Sequence, residues 1–294
     1  MRNINYNINI DKLEICCIAS KENVDLLEDT LSWEFDSFRI SSNENIERNN
    51  IYESYFNIDI LYTNKDDNKS LSWVNYATLK IGNTFEQSDN SYRYVWIKLN
   101  NEVLYTEFLN KINILVFLDY IIDSLNLKFN NITKLDISID TNINMFSKIK
   151  RAIRNEKYIP IVLGKSYENM NTIINRIGYY HTADRRRYRT STININNRDK
   201  DMCLSCYNKS QEINDNRKKE YIYKWNKSKS MIYRIEVRLK KKAIKDYLER
   251  RKLSFYDIYI GINNRELLFD IFMFFSNRLI RFSQNGKIYS ILEI

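Results

Sequence analysis

The 294-residue sequence contains a single histidine, His181, and this scarcity excludes several kinds of active site. Metal centres built on histidine pairs, including the two-histidine motif of many DNA-nicking enzymes, need more imidazole ligands than one chain supplies. If a metal is bound, carboxylates must hold it. Oxygen ligands favour Mg²⁺ or Mn²⁺, so these two cations are the expected cofactors.

Cysteine, proline and glycine are also scarce. Cys203 and Cys206 give only a weak zinc signal, because no second pair or neighbouring histidine accompanies them. One proline and five glycines leave no linker that would mark a firm domain boundary. We find no signal peptide, no disulfide-like spacing and no apolar run long enough to span a bilayer. We therefore expect a reduced, cytoplasmic protein without a membrane partner.

Positive charge is what the sequence has in excess. A formal net charge of +9 and a pI near 9.1 indicate a polyanionic partner, with nucleic acid as the leading candidate. The densest basic segment contains Arg185, Arg186, Arg187 and Arg189, with Tyr188 among them. Tyrosines beside a basic groove commonly hold single-stranded DNA, so these arginines are DNA-binding candidates. The alternative is an ordinary solvated loop.

Hydrophobic periodicity predicts an α+β fold. Several segments alternate apolar and polar residues, as in a mainly antiparallel sheet, whereas the long apolar run from Ile112 to Leu127 predicts a buried helix. We expect helices on one face of this central sheet and a polar, catalytic face open to DNA. The polar stretch from Asn214 to Ser230 is predicted to be a mobile, DNA-facing loop.

The end of the chain is predicted to be mostly helical, with helices near Lys242 to Lys252 and Arg265 to Phe282. We therefore divide the chain into a catalytic, DNA-binding domain, residues 1–252, and a C-terminal helical segment, residues 253–294.

Three alternating strands each carry charged side chains on one face, because a strand sends residues i, i+2 and i+4 to the same side. If the strands are neighbours in one sheet, their polar faces form one surface. Five side chains would meet there: Asp136 and Asp140 from one strand, Tyr207 and Lys209 from another, and Glu236 from the third. The alternative is that these are amphipathic strands whose charged side chains face water.

A phenol, an ammonium group and several carboxylates are the parts of a phosphoryl-transfer site. The carboxylates would hold Mg²⁺ or Mn²⁺, the metal would polarise the scissile phosphate, and Tyr207 would attack in line. A tyrosine hydroxyl has an ordinary pKa of about 10, so Lys209 is expected to lower that pKa or to neutralise charge on the phosphate. One tyrosine among 22 is a weak signal by itself.

Three short motifs follow one another in the second half of the chain. They read Lys134-Leu135-Asp136 to Asp140, then Arg198-Asp199-Lys200 leading to Tyr207-Asn208-Lys209-Ser210-Gln211-Glu212, then Tyr233-Arg234-Ile235-Glu236. In order and spacing, over roughly Tyr94 to Tyr247, they resemble the Rep_trans-type rolling-circle replication initiators of small plasmids, which are related to phage initiators and mobile-element relaxases.

The resemblance implies roles for individual residues. Tyr207 corresponds to the nicking nucleophile, and Asp136, Asp140, Glu236 and Glu212 correspond to acidic positions associated with a divalent metal. Glu212 is the least secure of these, because it lies one residue out of phase with the tyrosine if the strand continues.

The sequence also departs from the family pattern. Arg238 stands where many relatives have a second glutamate, so a metal role at that position is lost. Asn196 and Asn197 replace a glycine, and asparagine tolerates the positive φ that such a turn requires. Arg198 and Arg234, which belong to the motifs, complete the set of DNA-binding candidates.

The function implied by the resemblance is site-specific DNA nicking and strand transfer that starts rolling-circle replication. The products would be a 5′-phosphotyrosyl enzyme and a free 3′-OH that primes a host polymerase. Expected partners are a plasmid or phage double-strand origin with a hairpin or single-stranded nick site, a host helicase, the polymerase, and a second copy in a homodimer.

Two alternatives stay open. A relaxase that nicks the transfer origin of a mobilisable element would use the same chemistry and the same residues. A non-catalytic, sequence-specific DNA-binding protein would keep the fold without the reaction, although the intact tyrosine and carboxylates argue against it. A structural or lipid-binding role is less favoured, because no helical segment combines a strong apolar face with a basic one.

Overall fold

The computed structural model describes the chain over residues 6–29, 32–43, 52–63, 71–85, 92–110, 114–154, 158–166, 177–184, 187–215, 219–226 and 231–294. The chain divides into two compact units: Met1–Asp11 with Leu135–Ile294, called unit 1, and Lys12–Lys134, called unit 2. Residues 253–294, which we expected to form a separate segment, lie within unit 1.

The strands are numbered along the chain. They are β1 (Asn7–Ser20), β2 (Ser32–Glu34), β3 (Phe38–Ser42), β4 (Tyr52–Thr63), β5 (Leu71–Phe85), β6 (Tyr92–Leu99), β7 (Lys128–Thr141), β8 (Ile159–Val162), β9 (Lys165–Ser166), β10 (Ile177–Asp184), β11 (Arg187–Ile195), β12 (Met202–Asn208), β13 (Tyr233–Lys240), β14 (Ile280–Gln284) and β15 (Lys287–Tyr289).

The helices are numbered in the same way. They are α1 (Lys21–Asp29), α2 (Asn101–Asn110), α3 (Ile114–Ser124), α4 (Met145–Arg154), α5 (Lys209–Asp215), α6 (Tyr221–Trp225), α7 (Lys241–Arg251), α8 (Phe255–Ile260) and α9 (Arg265–Leu279). Within the described ranges, none of these helices is both long enough and apolar enough to cross a membrane.

Unit 1 is built on a sheet in which the three strands of the predicted site lie side by side. The order is β10–β11–β12–β13–β7, followed by the beginning of β1. The pairs from β10 to β13 are antiparallel. A smaller sheet of unit 1 has the order β15–β14–β8–β9. Strands β12, β13 and β7 are neighbours in one sheet, so their polar faces form one surface, as predicted for neighbouring strands.

Unit 2 contains a second run of antiparallel strands. Their order is β1–β6–β5–β4–β3–β2, and the first part of β7 lies beside β1. The predicted α+β class with a mainly antiparallel sheet is therefore confirmed.

A buried carboxylate, Glu14, lies on β1 in unit 2 and is only 1% exposed. Its oxygens accept contacts from Lys134 Nζ at 2.9 Å, Lys80 Nζ at 3.3 Å and the Thr133 hydroxyl at 3.0 Å. Burial alone would raise the pKa of Glu14, but the hydrogen bond from Lys134 and the charge of Lys80 outweigh it and hold the pKa below the ordinary value.

The apolar alternation of β7 and β13 produces the core that the sequence predicts. Leu135, Ile137 and Ile139 on β7 are fully buried, as are Ile235 and Val237 on β13. Because successive strand residues face opposite sides, these apolar side chains leave the charged residues of both strands together on the other face.

The polar face of β7 and β13 is largely buried. We expected this face to be open to DNA, with water-facing charged side chains as the alternative, and neither is observed. Ser138, Asp140, Arg234 and Glu236 are each at most 2% exposed. The physical reason is that each group has a partner: Asp140 bonds to Arg234, Glu236 to Tyr207 and Arg238, and Ser138 to the Asn9 backbone oxygen. A buried charge is tolerated when it is paired and hydrogen-bonded.

The end of the chain contains a hairpin that the sequence analysis did not predict. Helix α9 ends at Leu279 rather than near Phe282, and β14 and β15 follow it. Asn285 and Gly286 at the turn have φ values of 50° and 75°. An Asn-Gly pair with two positive φ angles is a strong hairpin signal, and it was present in the sequence.

The segment predicted as a DNA-facing loop, Asn214 to Ser230, contains the short helix α6. Ile222 and Trp225 on this helix are buried. Apolar side chains at positions i and i+3 share one helix face, so α6 packs by that face and the prediction of a continuous loop is wrong.

Candidate active site

Tyr207 lies near the end of β12, between two antiparallel partners. Its backbone is opposite Thr192 on β11 and Arg234 on β13. The side chain is half-buried, and its hydroxyl donates a hydrogen bond of 2.9 Å to Glu236 Oε2. Tyr207 therefore stands on the same face as the carboxylate with which the sequence analysis grouped it.

Glu236 is held on both of its oxygens. Oε2 accepts from Tyr207, and Oε1 accepts from Arg238 Nε at 2.6 Å. Glu236 is 1% exposed, whereas the Arg238 side chain is 31% exposed. Burial alone would lower the pKa of Arg238, but the charge of Glu236 outweighs this and raises it. The carboxylate is thus fixed in orientation by a permanently charged guanidinium.

The phenol of Tyr207 is not pre-ionised. Burial raises its pKa well above 10, and the negative charge of Glu236 raises it further, whereas the charge of Arg234 only partly opposes this shift. The expectation that Lys209 lowers this pKa is therefore wrong for the arrangement seen here. Any attack by Tyr207 requires a group that removes its proton during the reaction.

Lys209 begins helix α5 instead of continuing β12. The strand ends because the Asn208 side chain accepts a hydrogen bond of 3.2 Å from the Gln211 backbone N–H, which is how an N-cap residue starts a helix. Lys209 is 1% exposed, and its Nζ lies 5.6 Å from the centroid of the Tyr207 ring. Burial and the nearby charge of Arg234 lower the pKa of Lys209.

Glu212 is brought towards Lys209 by the same helix. The two residues are three positions apart on α5, and Lys209 Nζ donates to Glu212 Oε2 at 2.8 Å. Lys219 pairs with the other oxygen. Burial would raise the pKa of Glu212, but the charge of Lys209 and the two lysine hydrogen bonds lower it. The out-of-phase placement expected for a continuous strand is therefore wrong.

Asp140 and Arg234 form a buried, bidentate ion pair. Arg234 Nε and Nη2 donate to the two oxygens of Asp140 at 2.6 and 2.7 Å, and Arg234 Nη1 pairs with Asp11. Arg234 is 0% exposed, so the predicted DNA-binding role of this arginine is wrong for this structure. The guanidinium charge of Arg234, which we expected to contact DNA, is instead paired with Asp140 and Asp11 in the interior.

Two members of this buried cluster were missed by sequence reasoning. They are Asp11 and Asn226, whose side-chain Nδ2 donates to Asp140 Oδ2 at 3.0 Å. Asn226 Oδ1 in turn accepts from Asn7 Nδ2 at 2.9 Å. Asp11 is 223 positions from Arg234, and no local pattern links the two.

Asp136 lies on β7, half-buried, four residues before Asp140. Burial raises the pKa of Cys203, and the charges of Glu236 and then Asp136 raise it further, to about 11. After Glu236, the charge of Asp136 also contributes to the raised pKa of Arg238. Asp136 thus belongs to the surroundings of Glu236 and Arg238, whereas Asp140 belongs to those of Arg234.

Three of the four acidic residues predicted to hold a metal are placed in separate ion pairs. Asp140 is paired with Arg234, Glu236 with Arg238, and Glu212 with Lys209 and Lys219. Within the described part of the chain, no three His, Cys, Asp or Glu side chains are grouped so that they could hold a metal ion. This arrangement of Asp136, Asp140, Glu236 and Glu212 does not fit a shared divalent-metal site.

The cysteine pair does not form a zinc site either. Cys203 and Cys206 are both buried and free. They are three residues apart on β12, so their side chains point to opposite faces of the sheet.

The described part of the predicted basic segment is strand rather than loop. Arg187 and Arg189 lie at the start of β11, paired with the end of β10, while Arg185 and Arg186 lie outside the described residues. Arg198 is exposed in the turn between β11 and β12. The positive φ expected before it is confirmed, at 69° for Asn196.

Comparison with known proteins finds only distant structural similarity. No protein-family model and no curated protein matches the chain. Among solved structures, it is similar to a rolling circle replication initiator protein from Geobacillus stearothermophilus, with 9% identity and a TM-score of 0.47 over 96% of this chain and 89% of that one. A structural similarity this distant does not identify a function. The function proposed for the chain therefore depends on the geometry of the site.

Proposed function

We propose that this chain is a site-specific DNA nickase and strand transferase that starts rolling-circle replication, with Tyr207 as the nucleophile. The observation that carries the proposal is the contact of 2.9 Å between the Tyr207 hydroxyl and Glu236 Oε2. A nucleophile in contact with a base, which is itself oriented by a third group, is the usual arrangement of an activated hydroxyl. Arg238 is that third group.

In the proposed reaction, Tyr207 Oη attacks the phosphorus of one DNA phosphodiester while Glu236 takes the phenol proton. A bond forms between Tyr207 Oη and phosphorus, and the bond from phosphorus to the 3′ oxygen breaks. The 3′ oxygen takes up a proton from water and leaves as a free hydroxyl. The 5′ end remains attached to Tyr207 as a phosphodiester, and a later attack by a 3′-OH reverses these changes.

Cationic side chains near Tyr207 would stabilise the charge that develops on the phosphate. Arg238 is 31% exposed and donates to Glu236 through Nε, while Lys209 Nζ lies 5.6 Å from the Tyr207 ring centroid. Positioned charge of this kind is commonly the largest contribution to phosphoryl transfer. The predicted requirement for Mg²⁺ or Mn²⁺ stays a prediction, and no step above depends on it.

The partners of this reaction are part of the proposal. The substrate would be a double-strand origin whose hairpin or melted segment presents the nick site. A host helicase, a polymerase and a homodimeric arrangement are carried over from the family resemblance. A relaxase acting on a transfer origin would share every residue above.

A second candidate is a non-catalytic DNA-binding protein on the same fold. The observation that favours it is the neutralisation of Asp140, Glu236 and Glu212 by arginine or lysine, which leaves no shared carboxylate site within the described residues. This candidate predicts specific DNA binding that EDTA does not change and no nicking of supercoiled DNA.

Covalent trapping separates the two candidates. Labelled single strands that tile the DNA flanking the gene should give a protein–DNA adduct that survives denaturation. The adduct should disappear in Tyr207→Phe and persist in the control Tyr233→Phe, which alters a tyrosine on the adjacent strand. An adduct that persists in Tyr207→Phe, or no adduct from the wild-type chain on any strand, would overturn the proposal.

A further inference from the structure

Helix α4 carries a row of basic side chains on its outer face. Ser147, Lys150, Arg151 and Arg154 follow the spacing i, i+3, i+4 and i+7, so they lie along one side of the helix. The described residues that line a cavity of about 320 Å³ are these same four. Arg151 and Arg154 are exposed and Lys150 is half-buried. We call this set the α4 basic face.

The positive charge of this face is not neutralised within the helix. The ten residues from Met145 to Arg154 include no aspartate or glutamate. Among the residues that the structure describes, Lys150, Arg151 and Arg154 form no ion pair with a carboxylate. Three cations on one face that have no carboxylate partner among the described residues create a strongly positive surface.

Helix α7 provides a contrast within the same unit. It is also rich in basic residues, but its cations have carboxylate partners: Lys245 lies 3.8 Å from Glu249, Arg250 lies 3.1 Å from Asp246, and Arg251 lies 2.7 Å from Asp270. The positive charge is therefore distributed unevenly over the described residues, and there the three cations of α4 have no carboxylate partner.

A purely structural explanation accounts for only part of this pattern. Cations in the last turn of a helix interact favourably with its dipole, and Arg151 and Arg154 lie in the last turn of α4. That effect requires neither a common face nor a cavity between the side chains. It also does not explain Lys150, which lies before that turn.

We propose that the α4 basic face binds consecutive phosphates of a nucleic-acid backbone, as a contact separate from the Tyr207 site. Lys150 to Arg154 spans about 6 Å along the helix, which matches two or three phosphates of one strand. None of the described residues that line this face is aromatic, and the nearby Phe146 is half-buried with Lys150 Nζ 6.0 Å from its ring centroid. The contact would therefore hold the backbone without reading or stacking bases.

An anionic membrane is the main competing partner, and the burial of α4 argues against it. Met145, Ile149, Ala152 and Ile153 are all at most 4% exposed, because α4 packs against β12 and β13. A helix that lies on a membrane must offer its apolar face to lipid, and this face is already used. The α4 basic face supplies charge without an apolar surface to insert.

The inference rests on the proposed function only in taking DNA as the ligand, and it does not require nicking. The test compares the full chain with two variants that each lose three positive charges: Lys150→Gln/Arg151→Gln/Arg154→Gln, and the matched control Lys245→Gln/Arg250→Gln/Arg251→Gln on α7. The measurement is the dependence of duplex affinity on salt, with a duplex of arbitrary sequence.

The α4 variant should bind more weakly, and its slope of log K against log salt should be shallower by about 2 to 3, because each lost phosphate contact removes about 0.9. The α7 control should change the slope by less than about 1 on the same scale. An unchanged slope in the α4 variant, or equal changes in both variants, would overturn the inference. So would a larger loss of binding to phosphatidylserine vesicles than to duplex.

Single substitutions Lys150→Gln and Arg154→Gln keep the test valid if the triple variant misfolds. Each should reduce the slope by about 0.9 without a change in melting temperature. An unchanged slope in both would also overturn the inference. A wild-type chain that binds DNA but forms no covalent adduct would contradict the nicking proposal alone.

Discussion

The hydroxyl of Tyr207 and the carboxylate of Glu236 lie 2.9 Å apart on the adjacent strands β12 and β13. Because the pKa of Tyr207 is raised by burial and by the charge of Glu236, the phenol stays protonated at neutral pH. The same carboxylate that keeps the proton on the oxygen in the resting state is the group placed to receive it when the hydroxyl attacks.

Glu236→Gln tests this dual role. Glutamine preserves the volume and one hydrogen-bonding oxygen, but it is not an effective proton acceptor. The rate of covalent adduct formation should fall by about 10²- to 10⁴-fold while DNA affinity stays near that of the wild type. Glu249→Gln, an exposed position on α7, serves as the control. An adduct rate within about twofold of the wild type would exclude Glu236 as the proton acceptor.

Arg234→Met tests whether this arginine stabilises the interior or contacts DNA. Removing the guanidinium leaves Asp140, which is 2% exposed, without its bidentate ion-pair partner. The free energy of unfolding, measured with urea, should fall by about 3–5 kcal/mol.

The double variant Arg234→Met/Asp140→Asn should recover part of that loss, because the buried carboxylate no longer carries a charge. If Arg234→Met instead leaves stability unchanged and weakens DNA binding, Arg234 is a DNA contact after all and the buried pair has been misassigned.

Glu14→Gln tests the buried ion pairs of unit 2 through their pH dependence. The pKa of Glu14 is lowered in the folded state, so its stabilising effect is fully present above the unfolded value of about 4.3 and is lost as pH falls through the folded pKa. Glu14→Gln should therefore be less stable than the wild type at pH 7, and the difference should shrink as the pH falls below about 4.

Thermal melts of both proteins across this pH range provide the measurement, with Glu34→Gln at an exposed position of β2 as the control. A difference in stability that grows on acidification would contradict a lowered pKa at Glu14.

The part of the site predicted from the sequence depends on strand alternation. The period of two on β7, β12 and β13 correctly grouped Tyr207, Glu236, Asp136 and Asp140 on one side of neighbouring strands. Alternation could not show that this side is buried. It also could not show that Arg234 turns inward to Asp140, because that choice depends on partners far along the chain.

Some local features of the sequence predicted the backbone correctly, and others were present but not used. Asn196 was expected to tolerate a positive φ, and it has one. A strand that continues through Lys209 puts Lys209 and Glu212 into the wrong phase, because Asn208 ends the strand as the N-cap of a helix and asparagine is a favoured N-cap. Gly286 after Asn285 marks the terminal hairpin that the helical prediction overlooked. Asp11 and Asn226 had no local signal at all.

The most direct test of the central claim is mass spectrometry of the covalent adduct. After reaction with single-stranded DNA from the flanking region, the adduct is digested with nuclease and protease, and the nucleotide-bearing peptide is sequenced. We expect a phosphodiester-linked nucleotide on Tyr207, attached through its 5′ phosphate. A nucleotide on any other residue, or one attached through a 3′ phosphate, would contradict the central claim.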